Sequence, residues 1–342
     1  MRQIDFIESR SEPLRVSKTS IYALTLTPVV FCLSLLLLDA YTGGDQVHYR
    51  NLYEALAKAP LSEMPMLLRE IASSSEPLTG LILWAGARSG IDKDIFIASL
   101  NVLLVSGVFV LARRHKAPGS AILLLLTNFY LLVLITAAER QKIAFIFIVL
   151  AMLLDGNARR VVLLVSPFAH LTSFLFLASA LSFSIENSVR ALLLRGSVFK
   201  RNLLLLSVAI VVILFLGVVL LDGLLVKASH YLKSDISFVE FSNISLLLFV
   251  CLFITRHRLR IVLALCPLFV AVYFFGGSHV NIIAVVVALY LLLTERRINH
   301  PLAYVLMGYF SVKSIPFLYN IFAFGDGFLK PPELIRWALI FE

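Results

Sequence analysis

Charge is what this chain has least of. Only 15% of its 342 residues are Asp, Glu, Lys or Arg, against about a quarter in an ordinary soluble domain. Cysteine is scarce as well. Cys32, Cys251 and Cys266 all fall inside apolar runs, without the spacing of a metal site or a disulfide framework. They read as buried small hydrophobes. Nucleotide-loop, zinc and Ser-His-Asp signatures are missing, as are internal repeats and low-complexity tracts. The polar stretches are too short for a large soluble catalytic domain on either side of a membrane.

What is plentiful is apolar. Hydrophobic residues make up 60% of the chain, and the mean hydropathy is +0.92. A soluble fold of that composition would expose more apolar surface than water tolerates. The expected fold is an all-α polytopic integral membrane protein, one membrane domain over residues 1–342. Its length suits about 9–11 transmembrane helices, some of them short or re-entrant. Basic residues outnumber acidic ones 30 to 21, a net charge of +9. They cluster between apolar runs, the pattern of a positive-inside bias rather than of a nucleic-acid partner. Some cations remain to hold an anionic lipid or a phosphate.

Residues 1–20 read as a cytoplasmic tail, not a cleaved signal, and a first span follows at 21–40. Residues 41–76 form a first outer loop. Its middle reads as amphipathic interfacial helices, with Leu52, Tyr53 and Leu56 on one stripe and Met64, Leu67, Leu68 and Ile71 on another. Residues 77–88 are apolar but too short to cross. Spans are expected at 94–112, 119–137, 143–154, 203–221, 244–255, 261–275, 280–294 and 301–320, with a second outer loop at 222–243. Residues 161–183 are long enough to cross once, yet Arg190, Arg195, Lys200 and Arg201 follow them. The favoured reading is a re-entrant hairpin broken at Pro167 with His170 near its tip; the other is a true span. Gly276 to Asn281 reads as an outward polar break, and Arg256 to Arg260 as topology determinants.

Three groups then face outward: Gly43 to Arg50, Glu139 to Lys142, and His170. Together they offer a carboxylate, an imidazole and several cations. Arg grips phosphate oxygens through a planar fork and Lys acts as a point charge, so a diphosphate suits them. A carboxylate or imidazole can take the proton of a sugar hydroxyl. Each residue also has a plain structural reading. Asp45 can cap a turn; His48 and Tyr49 can sit in an interfacial belt; Arg50 can be solvated. Glu76-Pro77 can start a helix, Glu139 can pair with Arg140, Gln141 can bond between helices, and His279 and Asn281 can belong to a turn.

Gly43-Gly44-Asp45 with Tyr49, then Glu76-Pro77-Leu78, then Arg140-Gln141 with Ala144, then Ala169-His170 with Ser173, in that order, resemble the EpsG/Wzy family of bacterial polysaccharide-repeat polymerases. The resemblance covers roughly residues 40–180; beyond them only hydropathy agrees. It implies a glycosyltransferase of the bacterial inner membrane with its site facing the exterior and its N-terminus in the cytoplasm. Undecaprenyl-diphosphate-linked glycans would be donor and acceptor, with membrane lipids around them and a chain-length-determining copolymerase as a partner. No cofactor and no metal is implied. Arg140 would hold the diphosphate, supported by Lys142 or Arg50, and His170 or Asp45 would activate the acceptor hydroxyl. His48, Tyr49, Glu76, Glu139, Gln141, His279 and Asn281 complete the candidate binding set. The rival readings are a flippase for lipid-linked oligosaccharide, an O-antigen ligase or membrane acyltransferase, and a non-catalytic assembly scaffold.

Overall fold

The computed structural model describes residues 18–180, 186, 238–275 and 277–329. Every regular element among them is a helix. Residues 1–17 of the expected tail, the span at 203–221, residues 222–237 of the second outer loop and the basic residues Arg190 to Arg201 lie outside the described residues.

Among the described residues two helices are long and apolar enough to cross a membrane, or up to four if each of two bent pairs counts as one span. The helices α1 (Lys18–Ala40) and α2 (Asp45–Lys58) form one such pair, bent by 102°. Next come a short 3-10 turn at Leu61–Glu63, then α3 (Met64–Ala72), α4 (Pro77–Arg88) and α5 (Lys93–Arg114). The second bent pair is α6 (Gly119–Leu126) and α7 (Phe129–Thr136), at 47°. The sequence had suggested one continuous span at 119–137. Asn128 breaks it: its side chain accepts from the Tyr130 amide at 2.9 Å and opens a new helix. The helices α8 (Glu139–Leu153) and α9 (Gly156–Ala169) follow. Later in the chain are α10 (Phe238–Ile254), α11 (Arg258–Phe275), α12 (Gly277–Thr294) and α13 (Pro301–Phe324).

The described residues fall into two compact units. The first holds residues 18–169 and 311–329, the second those from 170 to 310. In the first, α5 packs against α1 and α8, and α8 against α9. A Cβ on Gly107 would stand 2.7 Å from a Val149 methyl, so this glycine sets how closely α5 and α8 approach. The apolar stripes of α2 and α3 are buried within the protein. Leu52, Tyr53, Leu56, Met64 and Leu68 join Leu38, Leu83, Ile97 and Ile143 in one core. An amphipathic helix buries its stripe wherever a complementary apolar face lies nearest, and here α4 and α5 supply it.

The basic clusters after α5 and α8 lie together. Arg114 donates to the Leu153 carbonyl at 2.5 Å and pairs with Asp155 at 3.1 Å, while Arg159 donates to Ala151 O at 3.1 Å. These cations close the C-terminal end of α8, where the helix dipole favours them.

In the second unit α10, α11 and α12 pack on one another around Ile244, Leu247, Cys251, Leu265 and Ile283. Of the three cysteines, Cys251 is buried as expected, whereas Cys32 and Cys266 are exposed on apolar helices. The helix α9 runs through Pro167, and the chain breaks at residues 170–172 before a helical stretch at 173–180. The Leu163 carbonyl, left without its helical amide by Pro167, accepts from the Ser166 hydroxyl at 2.8 Å. The polar break expected at Gly276 to Asn281 is mostly helix, since α12 begins at Gly277.

Candidate functional site

The first outer turn is shaped by Gly44, at φ 54° and ψ −140°, a backbone region that side chains disfavour. A Cβ there would also stand 3.1 Å from the Asp326 carboxylate. Asp326 accepts from the Tyr41 hydroxyl at 3.1 Å, and Gly43 N donates to Gly325 O at 2.7 Å. The double glycine is therefore the seat of a loop that follows α13. Asp45 opens α2 on its exposed side in the first turn, where a carboxylate complements the helix dipole, and His48 is exposed too. Gln46 and Tyr49 of the same helix are buried, and Tyr49 lies one turn from Asp45, whose charge acts on its phenol.

These buried residues meet the start of α8. Arg140 Nε donates to the Tyr49 hydroxyl at 3.2 Å, and its Nη1 pairs with Glu76 Oε2 at 3.0 Å. The Ser74 hydroxyl donates to the same carboxylate oxygen. Burial pushes the Tyr49 phenol above its usual range, against the opposing pull of the Arg140 guanidinium. Among the described residues Nη2 of Arg140 has no partner, and the side chain retains 18% of its exposure. One edge of the guanidinium fork thus remains for a ligand.

Beside this clasp lies a second ionic group. Lys93 Nζ donates to Gln46 Oε1 at 2.7 Å and to Glu139 Oε1 at 2.8 Å, and stands 3.6 Å from Asp94 Oδ1. Gln46 Nε2 donates to Thr136 O at 2.5 Å. Lys142, fully buried, donates to Ile135 O at 3.2 Å, an oxygen it shares with Asn101 Nδ2 at 2.8 Å. Arg50 is not freely solvated: its Nη2 donates to Leu38 O at 2.8 Å and pairs with Asp94 at 3.2 Å, closing the C-terminal end of α1. Glu139 pairs with Lys93, not with the neighbouring Arg140, and Gln141 is buried. Lys93 and Arg50 are thus paired with the carboxylates of Glu139 and Asp94, as a cation taken out of water requires, whereas Lys142 rests on a carbonyl alone among the described residues.

Ala169, the residue before His170, is also tied to this end of the first unit. Thr79 of α4 donates to its carbonyl at 2.6 Å, one helical turn from Glu76. His170 itself opens the second unit; it is buried, and its carbonyl accepts from Ser173 N at 3.0 Å and Ser173 Oγ at 2.6 Å. His279 and Asn281 belong to α12 of the second unit, with Asn281 buried. No group of His, Cys, Asp and Glu suited to a metal occurs among the described residues.

Several polar residues escaped the sequence reading. Lys93 sits between Asp92, the α5 N-cap, and Asp94; a cation in the first turn of a helix, against its dipole, is the signal that could have marked it. Gln46 lies three positions before Tyr49, on the same helix face. Asp326 gave no local signal. Arg260, read as a topology determinant, is buried against Glu186, with Nη2 to Oε2 at 2.6 Å and His257 Nδ1 at 3.5 Å from Oε1. No family model, curated protein or solved structure matches the chain.

Proposed function

We propose that the chain is a glycosyltransferase of the bacterial inner membrane that polymerises undecaprenyl-diphosphate-linked oligosaccharide repeats on the outer face. The product is an O-antigen, capsule or exopolysaccharide. The observation that carries this reading is the Tyr49–Arg140–Glu76 clasp. Three of the four motifs behind the family resemblance, up to 91 residues apart, converge on one guanidinium. The fourth begins at Ala169, bonded to Thr79 close by.

The chemistry follows from the groups present. The acceptor hydroxyl attacks the anomeric carbon of the growing glycan. The bond from that carbon to the diphosphate oxygen breaks, and the lipid diphosphate leaves with the electron pair. By the family resemblance, the hydroxyl proton passes to His170 or Asp45. Arg140 meets the charge that develops on the leaving diphosphate, a stabilisation worth most in a site that excludes water. The start of α8 adds amide groups that no side chain caps. Positive-inside orientation then places the Arg114 and Arg159 end in the cytoplasm and the Arg140 end outside, within a fold of about 9–11 crossings.

The test is polymerisation by the purified chain in vesicles supplied with defined lipid-linked repeats. A ladder of products is expected from the wild type, and only single repeats from Arg140→Ala and His170→Ala. Long chains from both variants overturn the site assignment. Movement of the lipid-linked repeat across the vesicle membrane without bond formation identifies a flippase instead. Transfer only to a lipid A core acceptor identifies a ligase.

A further inference from the structure

We propose that Lys93 is a positioning residue for the Arg140 guanidinium. The catalytic part of this inference rests on the polymerase reading; the geometric part does not.

Lys93 opens α5, a helix carrying none of the four motifs, and it is buried. Its ammonium reaches two other helices at once: Gln46 of α2 at 2.7 Å and Glu139 of α8 at 2.8 Å. Each of these partners lies beside a member of the clasp. Gln46 and Tyr49 share the buried face of α2, one turn apart. Glu139 and Arg140 are adjacent at the first turn of α8. One cation therefore pins the two stretches of backbone from which Tyr49 and Arg140 project toward each other.

The donor pattern admits little freedom. The Gln46 amide nitrogen is committed to Thr136 O, so its oxygen is the end presented to the ammonium. Glu139 Oε1 takes the Lys93 bond, and Oε2 has no partner among the described residues. Lys142, on the same face of α8, donates to Ile135 O and forms no ion pair with Glu139 within 4 Å among the described residues. Without Lys93 the Glu139 carboxylate is buried with no paired cation, and a carboxylate in that state draws in water or a new partner. Either response shifts the first turn of α8, and Arg140 with it. A guanidinium displaced by about 1 Å from a developing charge loses much of its effect.

The experiment uses the full chain in lipid nanodiscs. Arg140 is modified with phenylglyoxal, its rate is read by mass spectrometry, and exposed Arg113 serves as internal reference. In the wild type Arg140 is expected to react much more slowly than Arg113. Lys93→Met should raise the Arg140 rate several-fold and leave Arg113 unchanged. Lys93→Arg, which keeps the charge and the donors, should restore most of the protection. In the polymerisation assay Lys93→Met should lower kcat by about tenfold with a smaller change in KM. Should Lys93→Met fail to fold, Gln46→Met cuts the α2 arm together with the Gln46–Thr136 bond, keeps the Lys93–Glu139 pair, and should still speed modification of Arg140. An Arg140 rate equal to wild type in every folded variant overturns the inference. Loss of protection in a chain that makes no polymer even as wild type refutes the polymerase reading and leaves the positioning role standing.

Discussion

Replacing Arg140 by methionine removes a guanidinium that does two things at once under the proposed mechanism. It neutralises buried Glu76, and it offers one edge to a diphosphate. The two roles separate in a double-mutant cycle. The Glu76 side chain is 4% exposed and its Oε2 lies 3.0 Å from Nη1. Breaking a buried pair from one side costs about 3–5 kcal/mol. The Ser74 hydroxyl still donates to the stranded carboxylate, so Arg140→Met should fall near the lower end of that range. Adding Glu76→Gln removes the stranded charge and leaves an amide that can bond Ser74. The double variant should then recover about 2 kcal/mol relative to Arg140→Met, a coupling typical of residues in direct contact. Thermal melting of the detergent-solubilised protein reads this term. Polymer ladders in vesicles read the other, and they should stay absent in the double variant. Restored polymer in Arg140→Met/Glu76→Gln would mean that Arg140 only balances Glu76, and the diphosphate role would be refuted. Unchanged melting in Arg140→Met alone would refute the buried pair.

Gly44→Ala should destabilise by about 1–3 kcal/mol, because φ 54° with ψ −140° strains any side chain and the new methyl crowds Asp326. Adding Asp326→Ala should relieve the crowding but not the backbone strain, so melting should recover only in part. In the second unit Arg260→Met removes the cation 2.6 Å from Glu186, whose side chain is 2% exposed, and leaves His257 at 3.5 Å; a loss of about 3 kcal/mol is expected, largely reversed by Glu186→Gln. A melting point unmoved by Arg260→Met would show that this pair holds nothing together. Tyr53 donates to Ile91 O at 3.1 Å, and burial, reinforced by Asp92, pushes its phenol up to about 12. The unfolded chain releases this proton near pH 10, so the stability it confers is complete below pH 10 and is lost as pH rises through about 12. Tyr53→Phe should flatten the alkaline limb of a stability–pH curve; an identical limb in both proteins contradicts the shift.

The sequence carries local information, and its legible features were local. The 3.6-residue stripes at Leu52, Leu56, Met64 and Leu68 specified amphipathic helices, and those helices are present. What the stripes pack against was not legible, because a stripe encodes its own shape but not its neighbour. The break at Asn128 was written in a Thr-Asn pair inside an apolar run, yet run length outweighed it. Pro167 was a plausible break point, but α9 continues through it to Ala169 and the chain leaves the helix at residues 170–172.

The candidate site divides the same way. Tyr49, Glu76 and Arg140 could be picked out as ionisable or polar residues flanking apolar helices, where such groups are costly. That they clasp one another depended on α2, α4 and α8 meeting at one end of a unit. Lys93, Gln46 and Asp326 became visible only with their partners, 46, 90 and 285 residues away along the chain. Composition alone committed this chain to apolar helices, because so little charge leaves water no surface to hold. Which buried charge balances which was decided in three dimensions, since an ion pair is a property of two positions and the sequence supplies them one at a time.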